Sequence, residues 1–221
     1  MNPVDEHSEK MYEVNRRVQM ALALMQRAKR AGIPESQMKI GPSQFRDILC
    51  PKFNSSGKIK ALTDKIYNEP EFIKSYDAVA IDGGNFLLRK KAIFAILYRV
   101  ITFDNFGKYE DFGDITETFK RFQPEETRSI IDSMKNTDIL GLSEFSKVIF
   151  QKAPYSIPKT WDAILEKRFH QGKVTLVSFT NPLPSHNAHT IDDDTCGLFM
   201  PLIYNHDVEK QIKILRVRVS K

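Results

Sequence analysis

Residues 78–100 read AVAIDGGNFLLRKKAIFAILYRV. Ala78, Val79, Ala80 and Ile81 form a short uninterrupted apolar run, the pattern of a strand buried on both of its faces. Asp82-Gly83-Gly84-Asn85 is a turn, and Phe86 to Val100 continues as a largely apolar helix. A strand, a glycine turn and a helix in succession open a βαβ unit.

The same alternation continues toward the C-terminus. Residues 104–123 offer a strand at Tyr109 to Phe112 or at Ile115 to Phe119, and the sequence leaves both open. Pro124-Glu125-Glu126 starts a helix that runs to Met134, with proline and acids where a helix N-terminus favours them. Thr137 to Phe145, TDILGLSEF, is a second apolar strand. Pro158 to Gln171 is a helix closed at Gly172, and Val174 to Thr180 is a third strand. Ile212 to Val219 alternates in character and closes the chain as an edge strand. The fold class predicted is α/β, with a mainly parallel sheet covered by helices on both faces.

Toward the N-terminus, PKFNSSGKIK at 51–60 reads as a polar loop, followed by a short helix from Ala61 to Tyr67 that ends before Pro70. Residues 5–30 have helical texture. Met11, Val14, Val18, Ala21, Leu22, Met25 and Ala28 recur at three-to-four spacing among Arg16, Arg17, Arg27, Lys29 and Arg30. Ala31-Gly32-Ile33-Pro34 stops the helix, because glycine suits a C-terminal cap and proline cannot continue it. The expected organisation is an N-terminal helical arm and lead-in segment over 1–50, then a core over 51–221.

Composition bounds the function classes. The length of 221 residues suggests one main domain, and the hydrophobic fraction of 41% is enough for a sizeable core. No apolar run is long enough to span a membrane. The opening MNPVDEHSEKMYEV is acidic where a secretory signal needs positive charge, so a cytoplasmic location is expected. Cys50 and Cys196 form no Cys-x-x-Cys pair, which excludes a cysteine-rich zinc module and argues against a disulfide framework. A net charge of +5 is compatible with nucleic acid and does not by itself imply it.

Chemistry is expected where the strands end. P-loop ATPases place a glycine-rich turn after one strand to cradle phosphates. An Asp-Glu pair after a second strand holds magnesium and water, and a polar residue after a third senses the γ-phosphate. Here the phosphate-loop pattern G-x-x-x-x-G-K-[ST] meets Gly83-Gly84-Asn85-Phe86-Leu87-Leu88-Arg89-Lys90. Leu88 stands for the second glycine, Arg89 for the lysine and Lys90 for the magnesium-binding hydroxyl. A leucine side chain there obstructs close approach of backbone to phosphate. Arg89, Lys90 and Lys91 remain as plain charges that attract phosphate. At the second strand end Glu144 keeps the place of a water-activating base, but Ser143 replaces the metal-binding aspartate. At the third, Asn181 after Thr180 matches the sensing residue.

With those residues in view the chain resembles the AAA+ loaders of bacterial and phage replicative helicases and the related transposition accessory ATPases. The segment RAKRAGIPESQMKIGPSQF, Arg27 to Phe45, is similar to their lead-in before the core. WDAILEKRFHQGKVTLVSFTN, Trp161 to Asn181, is similar to their helix ending in Glu-x-Arg, then Gly-Lys, then a strand ending in Thr-Asn. TDILGLSEF matches the strand before it. The similarity runs from about residue 27 to the end. One family feature is missing: Asp194 to Leu202 contains no arginine where the family has one that reaches a neighbouring subunit's nucleotide.

The resemblance implies a DNA-replication accessory protein that binds a replicative helicase and loads it onto single-stranded DNA. Partner contacts are expected at Met11, Val14, Val18 and Met25, and DNA contacts at Arg16, Arg17, Arg27, Lys29 and Arg30. Self-association is a further expectation. Gly83, Gly84, Arg89, Lys90, Glu144 and Asn181 would line a degenerate nucleotide site. No ATP hydrolysis and no obligatory cofactor are expected, ATP being the one candidate ligand. The alternatives are a nucleotide-dependent regulator of transposition and an inhibitor of a host helicase. A metal site built on Asp192, Asp193 and Asp194 with His186, His189 and His206 fits no established spacing, and acids before a short helix more often cap it. A hydrolytic triad on Ser143 or Ser178 lacks the G-x-S-x-G elbow. Trp161 and most phenylalanines fall at apolar positions that suit a core better than base stacking.

Overall fold

The computed structural model describes residues 3–38, 40–49, 57–101, 106–145, 154, 156–179 and 214–219. Seven α-helices are among them: α1 (Pro3–Arg30), α2 (Pro42–Leu49), α3 (Gly57–Asn68), α4 (Phe86–Ile101), α5 (Phe112–Arg121), α6 (Pro124–Asn136) and α7 (Ser156–His170). The strands are β1 (Ala78–Gly83), β2 (Gly107–Asp111), β3 (Ile139–Phe145), β4 (Val174–Phe179) and β5 (Ile214–Val219). They form one five-stranded sheet in the order β2-β3-β4-β1-β5, and every neighbouring pair is parallel.

That order explains the two covered faces. The chain leaves β1, passes over β4 and β3, and enters the sheet again at the far edge as β2. It then works back through β3 to β4. Crossovers between parallel strands are right-handed, so reversing the direction of travel moves the connecting helices to the opposite face. Accordingly α4 packs with the end of α1, α2 and α3 on one face, around Phe45, Ile66, Ile93, Ile96 and Leu97. Helices α5, α6 and α7 cover the other, around Phe112, Met134, Trp161, Ile164 and Leu165. In β1, Val79 and Ile81 join the first cluster while Ala78 and Ala80 join the second, as strand alternation requires.

Helix α4 is buried nearly all round, which is why its sequence is apolar with little amphipathic pattern. It presses on the sheet where side chains are missing. A Cβ on Gly141 of β3 would lie 2.7 Å from Ile93 Cγ2, and one on Gly107 of β2 would lie 2.7 Å from Leu97 Cδ1. The helix ends follow local rules. Gly32 at φ +78 lets Ile33 N donate to Ala28 O at 3.0 Å, a glycine-closed end to α1. Gly172 closes α7 in the same way, with Lys173 N donating to Arg168 O at 2.9 Å. At α6 the Glu126 carboxylate accepts from the Gln123 amide at 3.0 Å.

Two expectations need correction. Gly57 to Lys60 is helical, the first turn of α3, so the polar texture of 57–60 is that of a helix start and not of a loop. Of the two strands offered over 104–123, only the first forms. Ile115 to Phe119 lies in α5, because Asp111 accepts from the amides of Gly113 at 3.1 Å and Asp114 at 3.3 Å and starts a helix there. Helix α2 was not anticipated at all. Trp161 is core, as expected, with its indole N–H donating to Thr116 Oγ1 at 3.0 Å. No helix of the described residues is long and apolar enough to cross a membrane.

Candidate functional site at the strand ends

Strands β3, β4 and β1 are adjacent and parallel, so their C-terminal ends share one edge of the sheet. This is where open α/β sheets take ligands. Only Gly84 and Asn85 separate the end of β1 from the start of α4. Gly83 and Gly84 have φ of +78 and +55, a left-handed pair that glycine adopts without steric cost. Asn85 then caps α4, its Oδ1 accepting from Leu88 N at 3.0 Å. The turn is short and closed on itself.

Arg89, one turn into α4, points back into the space between β1 and β3. Its Nη1 donates to the carbonyl oxygens of Gly83 at 3.3 Å and Gly84 at 2.9 Å. Its Nε and Nη2 each donate to one oxygen of Glu144 at 2.9 Å, a bidentate pair. The side chains are only 9% and 18% exposed, so water screens the pair weakly.

Glu144 is delivered by a break in β3. Leu142 pairs with Val177 and Phe145 with Phe179, so Ser143 and Glu144 together face the single residue Ser178. This is a β-bulge, and Glu144 within it has φ +55, the one positive value at a non-glycine among the described residues. Its amide donates to Ser178 Oγ at 2.9 Å in place of a ladder carbonyl. Such a conformation costs about 1–3 kcal/mol and persists where the surroundings over-determine it.

Beside the pair lies a second polar cluster. Ser143 Oγ donates to Asp111 Oδ2 at 2.7 Å, and the Tyr109 hydroxyl sits 2.8 Å from Ser143 Oγ. Because the serine proton goes to the carboxylate, the tyrosine is the donor to serine. Burial pushes the Tyr109 phenol above its ordinary value, opposed by Ser143 and Lys90. Lys90 Nζ lies 5.2 Å from the Tyr109 ring centre and 5.4 Å from that of Phe86. Tyr109 also ties the sheet edge to α1, its amide donating to Ala31 O at 2.8 Å.

Of the residues expected at a nucleotide site, Gly83, Gly84, Arg89 and Glu144 are brought together, with Lys90 adjacent. Asn181 lies outside the described residues, as do His186, His189, Asp192, Asp193, Asp194, the segment to Leu202, and His206. Tyr109, Asp111 and the bulge at Glu144 were missed as parts of the site. Only Asp111 left a signal, as an N-cap after a polar strand.

Away from this edge, α1 carries the other expected contacts. Met11, Val14 and Val18 are 59%, 58% and 50% exposed, and residues 8–23 of the helix are exposed throughout. Met25 instead is half-buried against the core cluster, and Ala28 is fully buried. Arg17 pairs with Glu13 at 3.0 Å, one helical turn away, and Lys29 approaches Glu35 at 3.9 Å. Arg16 and Arg30 are exposed and Arg27 half-exposed.

No family model and no curated protein sequence matches the chain. Solved structures with similar folds include the DnaC helicase loader, at 14% identity and TM-score 0.56 over 83% of this chain and 99% of that one. DnaI is similar at 12% identity and TM-score 0.53, over 83% and 90% of the two chains. The replication initiator DnaA bound to AMPPCP and single-stranded DNA gives 10% identity and TM-score 0.52 over 81% of this chain, which spans about half (51%) of that one. At such identities the likeness is one of fold. The chain shares the fold of these structures.

Proposed function

We propose that this chain is a DNA-replication accessory protein that binds a replicative helicase through α1 and loads it onto single-stranded DNA, without hydrolysing ATP itself. The observation that carries the reading is α1. Its last turn is anchored in the core at Ala28 and Ala31, while an apolar stripe through Met11, Val14 and Val18 stands in solvent. Exposed apolar residues at helical spacing suit the groove of a partner. The loader-like fold supplies the class of partner, a helicase ring. Arg16, Arg17, Arg27, Lys29 and Arg30 on the same helix would meet the DNA backbone as it enters.

Three features of the described residues at the strand ends support a reading without magnesium-nucleotide chemistry. A phosphate loop offers backbone amides to its ligand, whereas here the carbonyls of Gly83 and Gly84 face the guanidinium of Arg89. Glu144, in the place of a general base, instead accepts from Arg89 through both of its oxygens. Ser143 is a weak magnesium ligand, and its hydroxyl is tied to Asp111. Loading then proceeds on binding energy: the protein opens a ring only as far as it prefers the open state to the closed one.

The test is capture of the cognate helicase with an unwinding assay alongside. Val14→Asp with Val18→Asp should abolish capture while leaving the core folded. The wild type should stimulate helicase loading on single-stranded DNA and show ATP turnover no higher than background. Unimpaired capture by the double variant would remove the assignment to α1. Inhibition in place of stimulation would favour a helicase inhibitor, and Glu144-dependent turnover would favour a nucleotide-driven regulator such as those of transposition.

A further inference from the structure

Arg89 presents two edges. The Nη1 edge is held by the carbonyls of Gly83 and Gly84, so the guanidinium stays in place whatever happens on its other side. The Nε and Nη2 edge faces the two oxygens of Glu144 at 2.9 Å each. That edge-on fork binds two oxygens of a phosphate as readily as two of a carboxylate. The group opposite it is a carboxylate in a costly backbone conformation, held by a bulge whose amide has been redirected to Ser178.

We propose that Glu144 is the internal occupant of an oxyanion site. The Arg89 fork at the head of α4 takes a di- or triphosphate group once the Glu144 carboxylate is gone, and the Arg89–Glu144 pair keeps it closed in the protein as it stands. Glu144 is therefore an autoinhibitory contact. This rests on the reading that the strand-end cleft runs no ATP chemistry, and it gives that reading a cause.

The experiment is calorimetric titration with magnesium-free inorganic pyrophosphate and, separately, with ATP. The proteins are the wild type, Glu144→Gly, Glu144→Gln and the double variant Glu144→Gly with Arg89→Leu. Glycine suits the positive φ at 144, so that variant keeps the bulge; glutamine keeps the volume and removes the charge. Both single variants should bind pyrophosphate at least about tenfold more tightly than the wild type, as expected when a charge-assisted bidentate contact becomes available. ATP should gain by a similar factor, and the double variant should return to wild-type behaviour.

Wild-type binding equal to that of Glu144→Gly would overturn the proposal. So would the absence of a gain in either single variant, a gain that survives loss of Arg89, or a gain for ATP without one for pyrophosphate. Hydrogen exchange on the unmodified protein is the second measurement. Pyrophosphate raised to its solubility limit should speed exchange at the Glu144 amide, and unchanged exchange there counts against the latch. Helicase capture by α1 is not read in either assay, so failure here leaves the proposed function standing. ATP turnover by the wild type would remove that function on its own.

Discussion

Arg168 shows what one residue can hold. Its guanidinium is fully buried and donates to the carbonyls of Met134 at 2.7 Å, Thr137 at 2.8 Å and Val174 at 2.5 Å, and to Thr175 Oγ1 at 3.0 Å. It thereby ties the end of α6 and the approach to β3 to the start of β4. Burial pushes the group down to about 9, with Asp138 opposing, so it remains charged at neutral pH. Arg168→Met should destabilise the fold by about 3 kcal/mol or more, because the carbonyls lose their donor in the interior. Arg168→Lys should recover only part of this, since an ammonium lacks the planar fork. Chemical denaturation measures both, and a loss below about 1 kcal/mol for methionine would contradict the role. Glu-x-Arg was legible in the sequence as a family pattern, but this cage of carbonyls was not, since it is assembled from backbone distant in the chain. The same holds at the cleft. Arg89 read as a substituted lysine that kept its charge for a phosphate, and nothing local to either residue indicated that Glu144 would turn through a bulge to meet it.

Among the elements, those with strong periodicity or punctuation were legible. Helix α1 closes at Gly32, α6 opens at Pro124, α7 closes at Gly172, and the apolar runs of β1, β3 and β4 are strands. The failures came where local chemistry competed with pattern. Helix α2 begins at Pro42, and Gln44 Oε1 accepts from Gly41 N at 3.2 Å, a cap signal present in the sequence and passed over. Strand β2 is a half-buried edge strand rich in charge, and only Asp111 marks where it gives way to α5. The length of α1 divides in two by burial, and that division makes a prediction. Removing residues 1–23 should shift the thermal midpoint by no more than ~2 °C, because the described part of this segment is exposed and touches little of the core. Removing residues 1–33 should cost about 3 kcal/mol or more, since Ala28, Ala31 and Ile33 leave the core and Tyr109 N loses its acceptor. Equal midpoints for the two truncations would mean that the anchor contributes nothing.

For the whole molecule, topology gathers the polar cleft residues at the C-terminal ends of the strands, where helix α4 begins. Its first turns carry Arg89 and Lys90, and its body is clamped against Gly107 and Gly141 of the sheet. Gly141→Ala should cost about 1–3 kcal/mol by forcing Ile93 outward, and its effect on Arg89 would show whether the cleft depends on how α4 is seated. The central question is whether the molecule treats nucleotide as a ligand at all. A ligand that binds only the native state stabilises it by about 2.7 kcal/mol at a hundred times its dissociation constant. In a chain of this size that is a midpoint shift of several degrees. With Arg89 neutralised by Glu144 and the turn carbonyls facing inward, millimolar magnesium-ATP should leave the wild-type midpoint unchanged. The Glu144→Gly variant should be stabilised by ATP and by pyrophosphate alike. A wild-type shift of several degrees with magnesium-ATP would mean that the Arg89–Glu144 pair opens at little cost. The cleft would then bind nucleotide in the wild type, and the proposal that loading proceeds without hydrolysis would lose its structural support.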